Sequence, residues 1–307
     1  MRILTTAIFL CFWFLPNAQE SLKRWEFRHP QMGTLFRIVL YEEDSLKAQA
    51  AAVAAFARID SLNAMLSDYR ADSELSRLSA RAGDGQWVAV SGELWFLLQR
   101  SRQIAVLSDG AFDPTIGPLS KLWRKAFRQG EFPDTTALKA AREKVGIELL
   151  QFHNSQQKAR LLLPGMRLDL GGIAKGYAVD EAMRVLRRNG LSIALVDGGG
   201  DLRAGDPPPD KAGWKVAVGN DTMLTIARQA VATSGDTYRF LEWNGRRHSH
   251  IIDPRTGLGA THSLQVTVMG PDCTTADALA SALSVEPGLE QRIKQIIPKA
   301  SIIIKEK

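Results

Sequence analysis

Residues 192–218 read SIALVDGGGDLRAGDPPPDKAGWKVAV, and this stretch decides between the two common ways of mixing helices with strands. Its first five residues are an unbroken apolar run, which predicts a buried strand. Asp197-Gly-Gly-Gly-Asp201 follows as a turn or as a backbone that lets a ligand approach closely, the turn being the simpler reading. Asp206-Pro-Pro-Pro-Asp210 is a surface loop, and the strand expected at residues 214–218 begins within hairpin distance, with no helix between. Downstream, residues 222–231, 237–243, 250–252, 264–269 and 300–305 carry further strand patterns with mostly short links. Upstream, residues 24–29 and 34–41 flank Pro30-Gln31-Met32-Gly33, and residues 148–153 and 159–163 flank Asn154-Ser155. Hairpins therefore outnumber strand-helix-strand units, which predicts an α+β fold of mainly antiparallel sheets packed with helices.

The helices are legible from their periods and stops. Val53, Phe56, Ile59, Leu62 and Leu66 recur at helical spacing within residues 45–66. Residues 92–107 run to a stop at Ser108-Asp109-Gly110, residues 135–145 close at Gly146, and residues 172–188 close at Asn189-Gly190. Residues 275–283 and 289–297 complete the set.

At 307 residues and 45% hydrophobic content, the chain is long and apolar enough for one large domain or two small ones, and disordered, repeat and collagen architectures are excluded. Two cysteines exclude a disulfide scaffold. Met1-Arg2 precedes a mostly apolar run at residues 3–15, shorter than the roughly 20 residues a membrane span needs. It fits a secretory signal peptide at residues 1–18, against the alternatives of a retained anchor or a buried strand. One unit would then fill residues 19–307, exported to the periplasm or held on the outer side of the inner membrane. Loss of Arg2 with such a leader lowers the net charge from +6 to +5, and loss of Cys11 leaves Cys273 alone, simplest as a small buried hydrophobe.

Three segments offer chemistry, and a fourth only mimics it. In residues 169–180, DLGGIAKGYAVD, an acid ends a strand, two glycines free the backbone, and Lys175 stands in the first turn of a helix. Helix starts bind phosphate readily, yet an ordinary strand-to-helix turn is equally compatible. Asp277 and Ser281, four apart on a helix, put both oxygens on one face and could hold Mg²⁺, although helix capping by Thr274 or Thr275 explains the segment more simply when it is read alone. His248 and His250 alternate on an expected strand and would face one side, as a metal pair, a general base or an unremarkable surface pair. Lys121, Arg124, Lys125 and Arg128 interleave with Trp123 and Phe127, which the helical spacing reads as a solvated basic face and not as a nucleic-acid site. Serine-hydrolase and zinc motifs (GxSxG, HExxH, CxxC) are absent.

In order along the chain stand Met32-Gly33-Thr34, LSDYR at residues 66–70, GAFDPTIGPL at 110–119, DLGGIAKG at 169–176, Gly199-Gly200-Asp201, ATSG at 232–235, HIIDPRTG at 250–257 and Thr275-Ala276-Asp277. This series resembles the ApbE family, the FAD:protein FMN transferases, across essentially all of residues 19–307. The resemblance implies a T-fold-like α+β domain and a Mg²⁺-dependent transferase that splits the FAD pyrophosphate. The FMN half is joined through a phosphoester to a Thr or Ser hydroxyl of an exported or membrane redox protein, such as a subunit of a sodium-pumping NADH:quinone reductase, and AMP leaves. It implies Mg²⁺ held by Asp277, Ser281 and the carbonyl of Gly172. FAD would be contacted by Met32, Tyr69, Ala111, Phe112, Asp113, Asp169, Lys175 and Ile252, and His250 would be the base. Gly172 stands where many relatives carry Ser or Thr, and Ser281 where Thr is frequent; both changes keep an oxygen. The alternatives are an FAD pyrophosphatase yielding FMN and AMP, or an exported flavin-binding protein without turnover. No nucleic-acid partner is expected.

Overall fold

The structure, a computed structural model, describes residues 22–219, 222–235 and 240–306. The leader expected at residues 1–18 and the first three residues of the strand expected at 237–243 lie outside the described residues.

Strands β1 (Lys23–Gln31) and β2 (Thr34–Glu42) form an antiparallel hairpin around Met32 and Gly33. Both turn residues have positive φ, +51° and +74°, as a two-residue type I′ turn requires. Helix α1 (Ser45–Leu66) is capped by Asp44, whose carboxylate accepts from the Leu46 N–H. One member of its expected stripe is misplaced, since Val53 is exposed; Ala48, Ala51, Ala52 and Ala55 form the buried face ahead of Ile59, Leu62 and Leu66. Apolar size marked Val53 as a core residue, but the close approach of a neighbouring helix selects small side chains there.

Next come α2 (Glu74–Ala80), β3 (Val88–Ala89), α3 (Gly92–Leu107), α4 (Gly117–Gln129) and α5 (Thr135–Arg142). Strands β4 (Leu150–His153) and β5 (Lys158–Leu161) make the expected hairpin, with β3 on the other edge of β5. The chain continues through α6 (Ala174–Arg188), β6 (Ala194–Asp197), β7 (Leu202–Ala204), β8 (Trp214–Val218), β9 (Thr222–Ile226), β10 (Ala230–Gly235), β11 (Phe240–Trp243), β12 (Arg246–Ser249) and β13 (Leu264–Gly270). It closes with α7 (Cys273–Val285), α8 (Glu290–Ile296) and β14 (Ser301–Glu306).

Two expected strands differ. The run 222–231 is two strands, β9 and β10, because the backbone turns at Arg228 with φ +53°. Residues 250–252 are not a strand: β12 stops at Ser249, and the following loop bonds to itself, Asp253 N–H to the Leu258 carbonyl and Gly257 N–H to the Asp253 carbonyl, both at 2.8 Å.

The main sheet has the order β1-β2-β6-β7-β10-β13-β14, with every neighbouring pair antiparallel. The α+β reading therefore holds. Side chains alternate between two cores. Phe36, Ile38 and Leu40 of β2, Ala194 and Val196 of β6, and Ala230 and Ala232 of β10 face the helices α1, α6 and α7. Val39, Leu195 and Val231 point the other way, into a smaller core closed by Trp214, Val216 and Ile226 of the β8–β9 hairpin. The apolar run at 192–196 thus reflects a strand covered on both faces. No helix among the described residues is long and apolar enough to cross a membrane.

Candidate functional site

Helices α6 and α7 cap each other. Asp180 of α6 accepts from the Cys273 and Thr274 N–H groups at 3.0 and 2.8 Å and from the Thr274 hydroxyl at 2.7 Å, taking up donors at the start of α7. In return Asp277 Oδ2 of α7 accepts from the Gly176 N–H at 3.0 Å, in the first turn of α6. The N-cap of α7 is Asp272, bonded to the Thr275 N–H at 2.7 Å, and not Thr274 or Thr275 as the segment alone suggested. A side chain at Gly176 would strike the Cys273 carbonyl, so the glycine is what lets the two helix starts meet.

This contact brings the candidate metal ligands together. A Cβ built on Gly172 would lie 2.9 Å from Ser281 Oγ and 3.2 Å from the Phe112 ring, so the Gly172 backbone lies against both. The Ser281 hydroxyl has no hydrogen-bond partner among the described residues. One carboxylate, one hydroxyl and one backbone carbonyl are oxygen donors that suit Mg²⁺, which commonly takes one or two carboxylates and completes its shell with water and phosphate. No three His, Cys, Asp or Glu side chains are placed together so as to hold a metal ion among the described residues, so the donor set does not resemble a zinc centre. The residues fit the ion.

Lys175 is bonded to Asp201 and lies 3.7 Å from Asp277 Oδ1. Burial works against its charge, but Asp277 and Asp201 outweigh that and hold its pKa above the ordinary lysine value. Burial, then the Asp277 charge, push the Asp201 carboxyl up to about 7, with Lys175 opposing. Asp201 ends the DGGGD turn, in which Gly199 has φ +81° and packs on Thr34. That stretch is a tight turn that delivers an acid to Lys175.

The cleft around these groups has two compartments, of about 530 and 590 Å³. Ala111, Phe112, Asp113, Asp169, Gly172, Lys175, His250, Ile252, Asp277 and Ser281 line the first. Met32 lines the second beside Gln31 and Asn63, whose amides bond at 2.8 Å. Tyr69, Arg124, Gly171 and Lys175 line both and form a waist between them. Every residue singled out as catalytic, cofactor-binding or metal-ligating therefore lies on one connected cleft. Asp113 is buried, which pushes its carboxyl up, and it accepts from the Thr115 N–H at 2.8 Å and hydroxyl at 2.7 Å, so it shapes its own loop as it lines the wall. Met32 keeps a left-handed backbone that non-glycine residues rarely adopt, strain of the kind that collects at binding sites.

The two histidines do not share a face. His248 is buried between Trp123 and Phe132, with ring centroids 5.9 and 5.1 Å away. His250, just past the end of β12, is exposed at the cleft. Its loop is tied to α4 by Trp123 Nε1, which donates to the Gly257 carbonyl at 2.8 Å.

Arg124 is the chief omission of the sequence reading. It bonds Asp68, and its Nη2 donates to Asp169 Oδ2 at 2.8 Å. Its guanidinium carbon sits 4.2 Å from the Tyr69 ring centroid. Only Lys121, Lys125 and Arg128 form the exposed basic face. Ser120, Trp123, Arg124 and Phe127 stand at i, i+3, i+4 and i+7 and line the cleft, a stripe that the spacing offered but the run of charges obscured.

The sequence pattern of the ApbE family matches residues 32–300. The FAD:protein FMN transferase of Treponema pallidum (strain Nichols) is 35% identical over 277 residues, covering 83% of this chain and 76% of that protein. That of Klebsiella pneumoniae (strain 342) is 33% identical over 269 residues, with the same coverage. Among solved structures, a mutant of the flavin transferase ApbE from Vibrio cholerae superposes with TM-score 0.83 at 29% identity, covering 93% of this chain and 94% of that one. The ApbE protein from Thermotoga maritima gives TM-score 0.82 at 29% identity, covering 93% and 97%. Sequence pattern, relatives and architecture agree along nearly the whole length: this chain belongs to the ApbE family.

Proposed function

We propose that the chain is a Mg²⁺-dependent FAD:protein FMN transferase that works outside the cytoplasm on an exported or membrane redox subunit. The observation that carries this is the convergence on one cleft of the oxygen trio Asp277, Ser281 and Gly172, the Lys175 cation and the exposed His250. Mg²⁺, when bound, supplies charge neutralisation at the pyrophosphate. Lys175 stands at the waist where the phosphates of a dinucleotide spanning both compartments would pass. Phe112, Tyr69 and Met32 offer apolar and aromatic surface to the ring systems at either end. His250 takes the proton of the acceptor Thr or Ser hydroxyl, whose oxygen bonds to the FMN phosphorus as the bond to AMP breaks.

Because His250 is exposed, water can reach the same base, and FAD hydrolysis to FMN and AMP is the second reading. Incubation with FAD, MgCl₂ and a candidate acceptor domain separates them. Flavin fluorescence that persists on the acceptor in a denaturing gel is the expected result; free FMN without labelling favours hydrolysis, and intact FAD overturns both. Export is tested by fractionating cells that express the full chain, where a cytoplasmic product would refute it.

A further inference from the structure

At the waist of the cleft, one guanidinium bonds two acids: Arg124 bridges Asp68 and Asp169, while Arg167 reaches only the Asp68 backbone carbonyl. Asp68 and Asp169 are both buried, and both are bonded to Arg124. Burial, then the Asp169 charge, push the Asp68 carboxyl up, while Arg124 and, less strongly, Arg167 oppose them. Arg124 uses one N–H of each terminal nitrogen for these bonds, and its guanidinium carbon lies over the Tyr69 ring, itself largely exposed. Across the waist stands Lys175, whose charge is already matched by Asp201 and Asp277. An anionic ligand crossing from one compartment to the other therefore passes Asp68, Asp169 and Asp277, and Arg124 is the cation bonded to the first two of them.

We propose that Arg124 is a positioning residue of this cleft: it neutralises Asp68 and Asp169 and steadies Tyr69, so that an anionic dinucleotide can lie across the waist. The inference rests on the proposed function, since the anion in question is the FAD pyrophosphate. The charged guanidinium also suits the role sterically, because it is planar and stacks while it bonds.

The test is equilibrium binding of FAD and of uncharged riboflavin to the full chain without added metal, followed by flavin fluorescence, with melting curves to confirm folding. Arg124→Met keeps the apolar stem and removes the charge. It should raise the Kd for FAD about tenfold, the change expected when roughly 1.4 kcal/mol of charge compensation is lost, and move the Kd for riboflavin less than twofold. Arg124→Lys should recover most of the FAD affinity. Asp68→Asn in the Arg124→Met background should recover part of it, because one uncompensated acid is gone. Equal losses for FAD and riboflavin would mean a purely structural arginine and overturn the proposal. So would unchanged FAD binding in a folded Arg124→Met protein when the wild type binds. A wild type that binds no FAD would overturn both the proposed function and this inference.

Discussion

Asp277 stands in two structures at once. One oxygen caps the first turn of α6 through the Gly176 N–H, and the other faces Lys175 beside the trio suited to Mg²⁺. Replacement by alanine should abolish Mg²⁺-dependent turnover, because the trio loses its only anionic member, and should also lower stability by about 1 kcal/mol through the lost cap. Asp277→Asn keeps a capping oxygen, so it should recover stability but not activity; an active Asn variant across a Mg²⁺ titration would refute the metal role. At His250 the expectation is reversed. The side chain is exposed at the cleft, so His250→Ala should cut acceptor labelling by about a hundredfold or more while FAD binding and melting temperature stay close to wild type. Joint loss of binding and labelling would mark a structural histidine.

At the scale of elements, the two helix starts depend on each other. Asp180 satisfies three donors at the head of α7, two of them backbone N–H groups buried against α6. Asp180→Ala should therefore cost about 2 kcal/mol in urea denaturation and weaken metal-dependent turnover as well, since α7 carries Asp277 and Ser281. A variant of wild-type stability would show that water replaces the carboxylate. The edge strand β1 gives a pH signature. Arg24, Glu26 and Arg28 alternate onto one face, and their hydrogen bonds lower the Glu26 pKa from 4.5 to about 2. A depressed carboxyl contributes stability that is present above its unfolded pKa and lost as pH falls through the folded one. Glu26→Gln should then cost under about 1 kcal/mol at pH 7, the pair being near the surface, and its gap from wild type should narrow from pH 4.5 toward pH 2. A gap that does not depend on pH would refute the assignment.

Across the whole molecule, the cleft shares the helix-covered face of the seven-stranded sheet with the larger core, and a smaller core lies on the opposite face. The helices α1, α6 and α7 pack on one face and frame the cleft; the β8–β9 hairpin closes the smaller core on the other. Trp214 anchors that hairpin, buried and with Nε1 donating to the Asp206 carbonyl at 2.8 Å. Trp214→Ala should lower stability by about 3–5 kcal/mol while leaving the FAD Kd within twofold in the surviving folded fraction. A large change in affinity would show that the two faces communicate through the sheet.

The amino-acid order by itself determined the local elements, because helical and strand periods, caps and turn residues act over a few neighbours. α1 and α3 begin and end where their spacing and flanking polar residues place them, and the hairpins follow their turn signals. It also supplied the members of the cleft, although that reading came through the ordered motifs of a family and not through spacing alone. Only the tertiary structure decided what each side chain meets. Val53 and Arg124 were assigned by chemical type, one to the core and one to solvent, and packing reversed both. Asp201 and Asp180 became partners of Lys175 and α7 across about 26 and 93 residues of chain. The order β1-β2-β6-β7-β10-β13-β14 likewise interleaves distant segments. The physical reason is the same in each case: a side chain's own neighbours in sequence fix its conformation, whereas its charge partners and solvent exposure are set by whichever elements the folded core brings against it.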